Sequence, residues 1–139
     1  MTSFEDIIKA KGSLVYHNKG TSMLPLIKEG RDLLVIEAPT YPICKYDIVL
    51  SKRPSGRYLL HRVIKVCNNG TYIIAGDNSW KSDTVTEHSI VGVMTGLIRN
   101  GNSINLSSPL YRLLTIIWCE LFFARKLALR FCRVIMKMS

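Results

Sequence analysis

Between Asp32 and Ile98 the chain alternates apolar runs with turn signals, and this rhythm limits the fold more than any other feature. LLVIEA, YDIVLSKR, RYLLHRVIKV, GTYIIAGD and SIVGVMTGLI are five apolar runs rich in β-branched residues. Ala38-Pro39, Pro54-Ser55-Gly56, Asn68-Asn69-Gly70 and Asp77-Asn78-Ser79 separate them, and these residue types favour turns over regular structure. The stretch from Val66 to Tyr72, with Asn69-Gly70 inside it, has the pattern of a β-hairpin. Leu14-Val15-Tyr16 adds a shorter strand. The expectation is a mainly β domain, a small β-barrel or folded sheet, followed by a C-terminal amphipathic α-helix.

Helix signals occur only at the two ends. Ser3 can cap a short helix over residues 3–11, with Glu5 and Asp6 in its first turn and Gly12 ending it. Ser108 and Pro109 suit the N-cap and first position of a second helix. From Leu110 to Met138 there is neither Gly nor Pro, which allows a helix of ~29 residues and ~43 Å. On a helical wheel Arg112, Lys126, Arg130, Arg133 and Lys137 fall within ~60° of one another. Phe122, Ala124, Leu129, Phe131, Val134 and Ile135 spread round the rest. Two parts follow: residues 1–106 as the β domain and residues 107–139 as a cationic amphipathic helix.

A hydrophobic fraction of 47% and a charged fraction of 21% exclude a disordered chain. Four cysteines without a C-x-x-C pair exclude a zinc ribbon and argue against a disulfide scaffold. No metal or cofactor is expected. The net charge is +9, and residues 99–139 hold seven basic residues against one acidic. Because those cations lie among apolar residues, an anionic membrane surface is the expected partner and nucleic acid is not. Glu120 and Arg125-Lys126 interrupt the apolar stretch and disfavour a simple span. The N-terminus has no apolar core of a signal peptide and no transmembrane anchor. Location is therefore expected to be membrane-associated or cytoplasmic.

Three segments carry side chains suited to chemistry. Gly20-Thr21-Ser22-Met23-Leu24-Pro25 places a serine in a turn stiffened by proline; such a serine is also ordinary turn chemistry. Leu60-His61-Arg62-Val63-Ile64 places a histidine within a strand, where partial burial keeps an imidazole neutral near pH 7. Gly76-Asp77-Asn78-Ser79, followed by Ser82-Asp83, reads either as a polar turn or as a source of a carboxylate for His61. His17 and His88 compete with His61 but read as surface residues. Order and spacing alone leave a hydrolase as one option among several, because such sites are defined by geometry.

Together these segments resemble the signal peptidase I and LexA-like group of serine peptidases. Ser22-Met23-Leu24-Pro25 is similar to the nucleophile box of that group. Asp47-Ile48-Val49 resembles its Gly-Asp-hydrophobic strand, with Tyr46 where Gly is usual. Leu60-His61-Arg62-Val63-Ile64 resembles the box holding the general base, and Gly76-Asp77-Asn78 with Asp83 resembles the box that closes the site. The matches cover residues 20–95. Bacterial signal peptidases and LexA-like proteins place Lys at the base position, so His61 resembles the endoplasmic-reticulum and archaeal branch.

The resemblance implies a serine endopeptidase that cleaves a precursor, signal or leader peptide lying extended along a strand edge. Ser22 would be the nucleophile, His61 the general base, and Asp83 the carboxylate orienting it, with Asp77 second. Gly20, Met23, Pro25, Asp77 and Asn78 would support the site and its oxyanion hole. Gly20 stands where some relatives carry a hydroxyl that assists that hole. The alternative is a catalytically weak or inactive peptide-binding module of the same fold.

Overall fold

The computed structural model of this chain describes residues 3–19, 23, 26–77 and 81–138. The order of elements is α1 (Phe4–Lys11), β1 (Ser13–Tyr16), β2 (Asp32–Glu37), β3 (Ile48–Lys52), β4 (Tyr58–Val66), β5 (Thr71–Ala75) and β6 (Ser82–Thr86). A single 3-10 turn (Glu87–Ser89) then leads into β7 (Ile90–Arg99), β8 (Asn102–Ile104) and α2 (Pro109–Met138). The chain is mainly β, with more of its described residues in strands than in helices. All strands join one antiparallel sheet in the order β1-β2-β7-β3-β4-β5-β6, with β8 also on β7. The sheet is not closed, so of the two expected forms it takes the folded sheet and not the barrel.

The helix ends follow their capping chemistry. Ser3 Oγ accepts from the Asp6 N–H while the Asp6 carboxylate accepts from the Ser3 N–H, and Gly12 closes α1 in the left-handed region. Ser108 Oγ accepts from the Tyr111 N–H at the start of α2. The β4–β5 hairpin turns through Asn68-Asn69-Gly70, with the Cys67 N–H donating to the Thr71 carbonyl.

The β7–β8 connection is a two-residue turn. Asn100 and Gly101 alone make it, both at positive φ as a two-residue hairpin demands. Asn102 and Ser103 pair with Arg99 and Ile98 as β8. Ser82-Asp83, which carries no strand signal in the sequence, opens β6. The polar sequence Ser-Asp-Thr-Val-Thr can be a strand because β6 is at the sheet edge and covers only alternate side chains.

Register assigns each side chain to a face, because paired residues share one. Val49 pairs with His61, Val63 with Ile74, and Ile74 with Asp83. These five residues therefore share a face. Ile48 pairs with Arg62 and Leu50 with Leu60 on the other. Each face has its own apolar cluster. Val49, Val63, Tyr72, Ile74, Ile43 and Ile90 form one. Ile48, Leu50 and Leu60 pack with Met23, Ile27, Leu34 and Ile36 in the other.

Gly92 in β7 is required by close approach. A Cβ there would lie 2.4 Å from Ile36 Cγ2 and 3.0 Å from the Glu37 carbonyl oxygen. Gly92→Ala should therefore lower stability by about 1–3 kcal/mol, the usual cost of overpacking. A urea melt measures this, and an unchanged midpoint would show that β2 and β7 are not so tightly apposed.

Candidate active site

Of the expected nucleophile box only Met23 is among the described residues. It is fully buried in the cluster formed by Leu50 and Leu60. The Ile27 N–H donates to the Met23 carbonyl at 2.9 Å. The Leu26 carbonyl accepts from Arg99 at 2.8 Å and from Arg31 at 3.4 Å. Both arginines also bind the Asp32 carboxylate, whose side chain is wholly buried. Burial alone would raise the Asp32 pKa, but hydrogen bonds from Arg99, Arg31 and the Lys28 N–H outweigh it and hold the pKa at about 2. Ser22, Gly20, Pro25 and Asn78, all singled out in the sequence, lie outside the described residues.

His61 sits half-buried in β4. Its pKa is lowered, first by burial and then by the Arg53 charge, while Asp83 and Asp77 pull the other way. The result favours neutral imidazole at pH 7, the form able to accept a proton. His61 Nδ1 is buried and has no hydrogen-bond partner. His17 and His88 are exposed.

Asp83 shares the face of His61, yet its carboxylate forms an ion pair with Arg53. It also accepts from its neighbour's amide, the Thr84 N–H. The pairing of Asp83 with an arginine, rather than with the imidazole, was not legible in any motif. Arg53 belongs to the connection between β3 and β4, where a basic residue reads as a solvated loop charge. A second side chain without a sequence signal is Asn18. It is buried, and its Nδ2 has no hydrogen-bond partner among the described residues.

Asp77 is a brace. Its two oxygens accept from Arg62 Nε and Nη2 at 2.8 Å each, and both side chains are 2% exposed. The remaining Arg62 nitrogen donates to the Tyr46 carbonyl at 2.8 Å. Burial works against the Arg62 charge, but the Asp77 hydrogen bonds and charge overcome it and raise its pKa further. The Asp77 carbonyl in turn accepts from Trp118 Nε1 of α2 at 2.6 Å. Strand β4 is thus tied to Asp77 by a buried ion pair, and α2 is tied to the same residue through its carbonyl.

Tyr46, standing where the resembling proteins have Gly, has φ 79°. That left-handed conformation explains a preference for Gly and costs a tyrosine about 1–3 kcal/mol. Contacts compensate: Tyr46 Oη donates to Glu120 Oε1 on α2 at 2.6 Å, and the Tyr46 N–H donates to the Val63 carbonyl at 2.7 Å. Among the described residues no group of His, Cys, Asp and Glu is arranged to hold a metal ion. Burial pushes the Cys119 thiol up to about 11, which leaves it protonated and unreactive. In comparisons with known proteins, the chain matches no family model and no curated protein.

Proposed function

We propose that this chain is a serine endopeptidase of the signal-peptidase and LexA-like kind, with Ser22 as nucleophile and His61 as base. The observation that carries the reading is the state of His61, a half-buried strand imidazole biased to its neutral form. Ser22 Oγ would attack the peptide carbonyl as His61 accepts its proton, and His61 would return that proton to the leaving amine. The Ser22 N–H would stabilise the oxyanion, and Gly20 contributes no hydroxyl to help it. The open sheet supports an extended substrate, because strands β1 and β6 each end the hydrogen-bonded order. A precursor or leader peptide is the substrate class. The test is labelling with a serine-reactive phosphonate: wild type should label, and Ser22→Ala should not. Absence of wild-type labelling would overturn the peptidase reading.

One observation favours the second reading, a peptide-binding module. Asp83 is engaged by Arg53 and leaves His61 Nδ1 without a partner. The two readings differ in what Arg53→Gln does. In a peptidase, freeing Asp83 and removing a nearby cation should both raise the His61 pKa. The acid limb of kcat/KM should then move to higher pH, whereas in wild type it should lie below 6.5, the ordinary imidazole value. A limb that stays in place would remove Asp83 and Arg53 from the catalytic scheme.

Among the described residues, no helix is long and apolar enough to cross a membrane. Attachment to an anionic surface through an amphipathic α2 is the proposed alternative. Tyr111, Thr115, Trp118 and Cys119 face the sheet side, while Leu110, Leu113, Leu114, Ile117 and Leu121 are exposed. Leu127, Phe131, Val134 and Ile135 continue the exposed apolar series. Since the first three turns pack on the domain, the test removes residues 122–139 only. The full chain should sediment with phosphatidylglycerol vesicles, less so at high salt, because each cation near the surface contributes ~1 kcal/mol. The shortened chain should remain in solution. Equal sedimentation of both chains would refute the attachment.

A further inference from the structure

Helix α2 is held by the sheet only over its first part. Thr115 and Cys119 are buried, Trp118 Nε1 donates to the Asp77 carbonyl, and Glu120 accepts from Tyr46 Oη. From Leu121 to Lys137 every described side chain is exposed. Most of a helix's stability in a protein comes from packing an apolar face, so this half of α2 calls for a partner surface.

The period of its apolar residues specifies that partner. Leu110, Leu114, Ile117, Leu121, Phe131 and Ile135 are 47–67% exposed. The first four recur at alternating steps of four and three residues. Ala124, also exposed, and Ala128 carry the same rhythm from Leu121 to Phe131. Residues 110–138 include seven charged side chains, and none stands on this stripe. A stripe that repeats every 3.5 residues drifts round a straight α-helix by ~20° per heptad. A flat lipid surface does not follow that drift, whereas a second helix coiling round the first does. The same stripe on a second copy is self-complementary about a two-fold axis. Area agrees. At ~30 Å² per side-chain carbon, the stripe and the flanking Leu113, Leu127 and Val134 leave ~600 Å² open per chain. A pair would bury ~1,200 Å², the size at which specific interfaces begin.

We propose that α2 pairs with α2 of a second copy of this chain along this stripe. The residues facing the sheet, Thr115, Trp118 and Cys119, lie about a quarter turn or more from the stripe, so the chain's own domain leaves it open. On a heptad wheel Arg112, Lys126, Arg130, Arg133 and Lys137 fall opposite the stripe. Pairing therefore keeps the cations outward, where an anionic surface can still meet them. It uses neither Ser22 nor His61, so it stands or falls apart from the peptidase reading.

Sedimentation equilibrium of the full-length chain, without lipid or detergent, is the test. A reversible particle of twice the chain mass is expected. Leu121→Asp sets a charge in the middle of the stripe and should raise the dissociation constant at least about hundredfold. Leu121 is 47% exposed in the single chain, so the urea midpoint of the dilute monomer should not fall. Ile116→Gln, off the stripe, should pair as wild type does. Added salt should tighten the pair or leave it unchanged, because it screens repulsion between two cationic helices; vesicle attachment has the opposite salt dependence. A chain that stays monomeric at millimolar concentration would overturn the proposal, as would a pair that survives Leu121→Asp or dissolves in salt. A monomer held by neutral phosphatidylcholine vesicles and released by Leu121→Asp would assign the stripe to lipid and overturn it too.

Discussion

Ser22→Ala and His61→Ala should each lower kcat/KM for a cleaved peptide by at least about 10⁴-fold, and the double variant should be no slower than either. The non-additivity is the diagnostic part. A nucleophile without its base and a base without its nucleophile both leave only binding and oxyanion stabilisation. The His61 replacement should not unfold the chain, because the imidazole is half-exposed and its Nδ1 makes no hydrogen bond. Circular dichroism of each variant separates lost chemistry from lost fold. Retained turnover in either single variant, in a preparation free of other peptidases, would refute the assignment of both residues.

Asp77→Ala should have the largest effect on stability, about 3–5 kcal/mol, because it leaves the Arg62 charge buried without its partner. Arginine cannot escape by losing its proton, since its pKa is raised further in the fold. The combined Arg62→Met and Asp77→Leu variant should recover much of the loss, because it removes both charges together. Its remaining deficit would report the other bonds of Arg62, above all that to the Tyr46 carbonyl. Urea unfolding of the three variants measures these differences. A cost below about 1 kcal/mol for Asp77→Ala would mean that water reaches Arg62 in solution.

Local chemistry was legible in the sequence, and partner choice was not. Ser3 and Gly12 bound α1, and Ser108 with Pro109 opens α2, because a cap acts within four residues of itself. The apolar strands were legible for a similar reason: burial imposes a pattern on each strand. Strands β6 and β8 lacked that signal. Three of the five residues of β6 and two of the three in β8 are exposed, so little apolar pattern remains. For the candidate site, His61 could be placed on a strand from its neighbours. The sequence did not show that Arg53, thirty positions from Asp83, would take its carboxylate. Tyr46 is the intermediate case. Its departure from Gly was visible, but the phenol contact with Glu120 that accompanies it depends on the helix docking 74 positions later.

The place of β7 in the sheet has a consequence for how the chain assembles. Strands β3 to β6 follow one another as antiparallel neighbours, so each can form on its predecessor as soon as it leaves the ribosome. Strands β1 and β2 form a separate antiparallel pair, and no strand pairing joins the two groups until β7 is made. Strand β7 then bonds to β2 on one side and to β3 on the other. Until residue 99 has emerged, two unfinished edges stand open to any passing strand. The nascent chain is therefore most vulnerable to aggregation just before its most central strand arrives, and a pause in synthesis near residues 87–89 would lengthen that exposure.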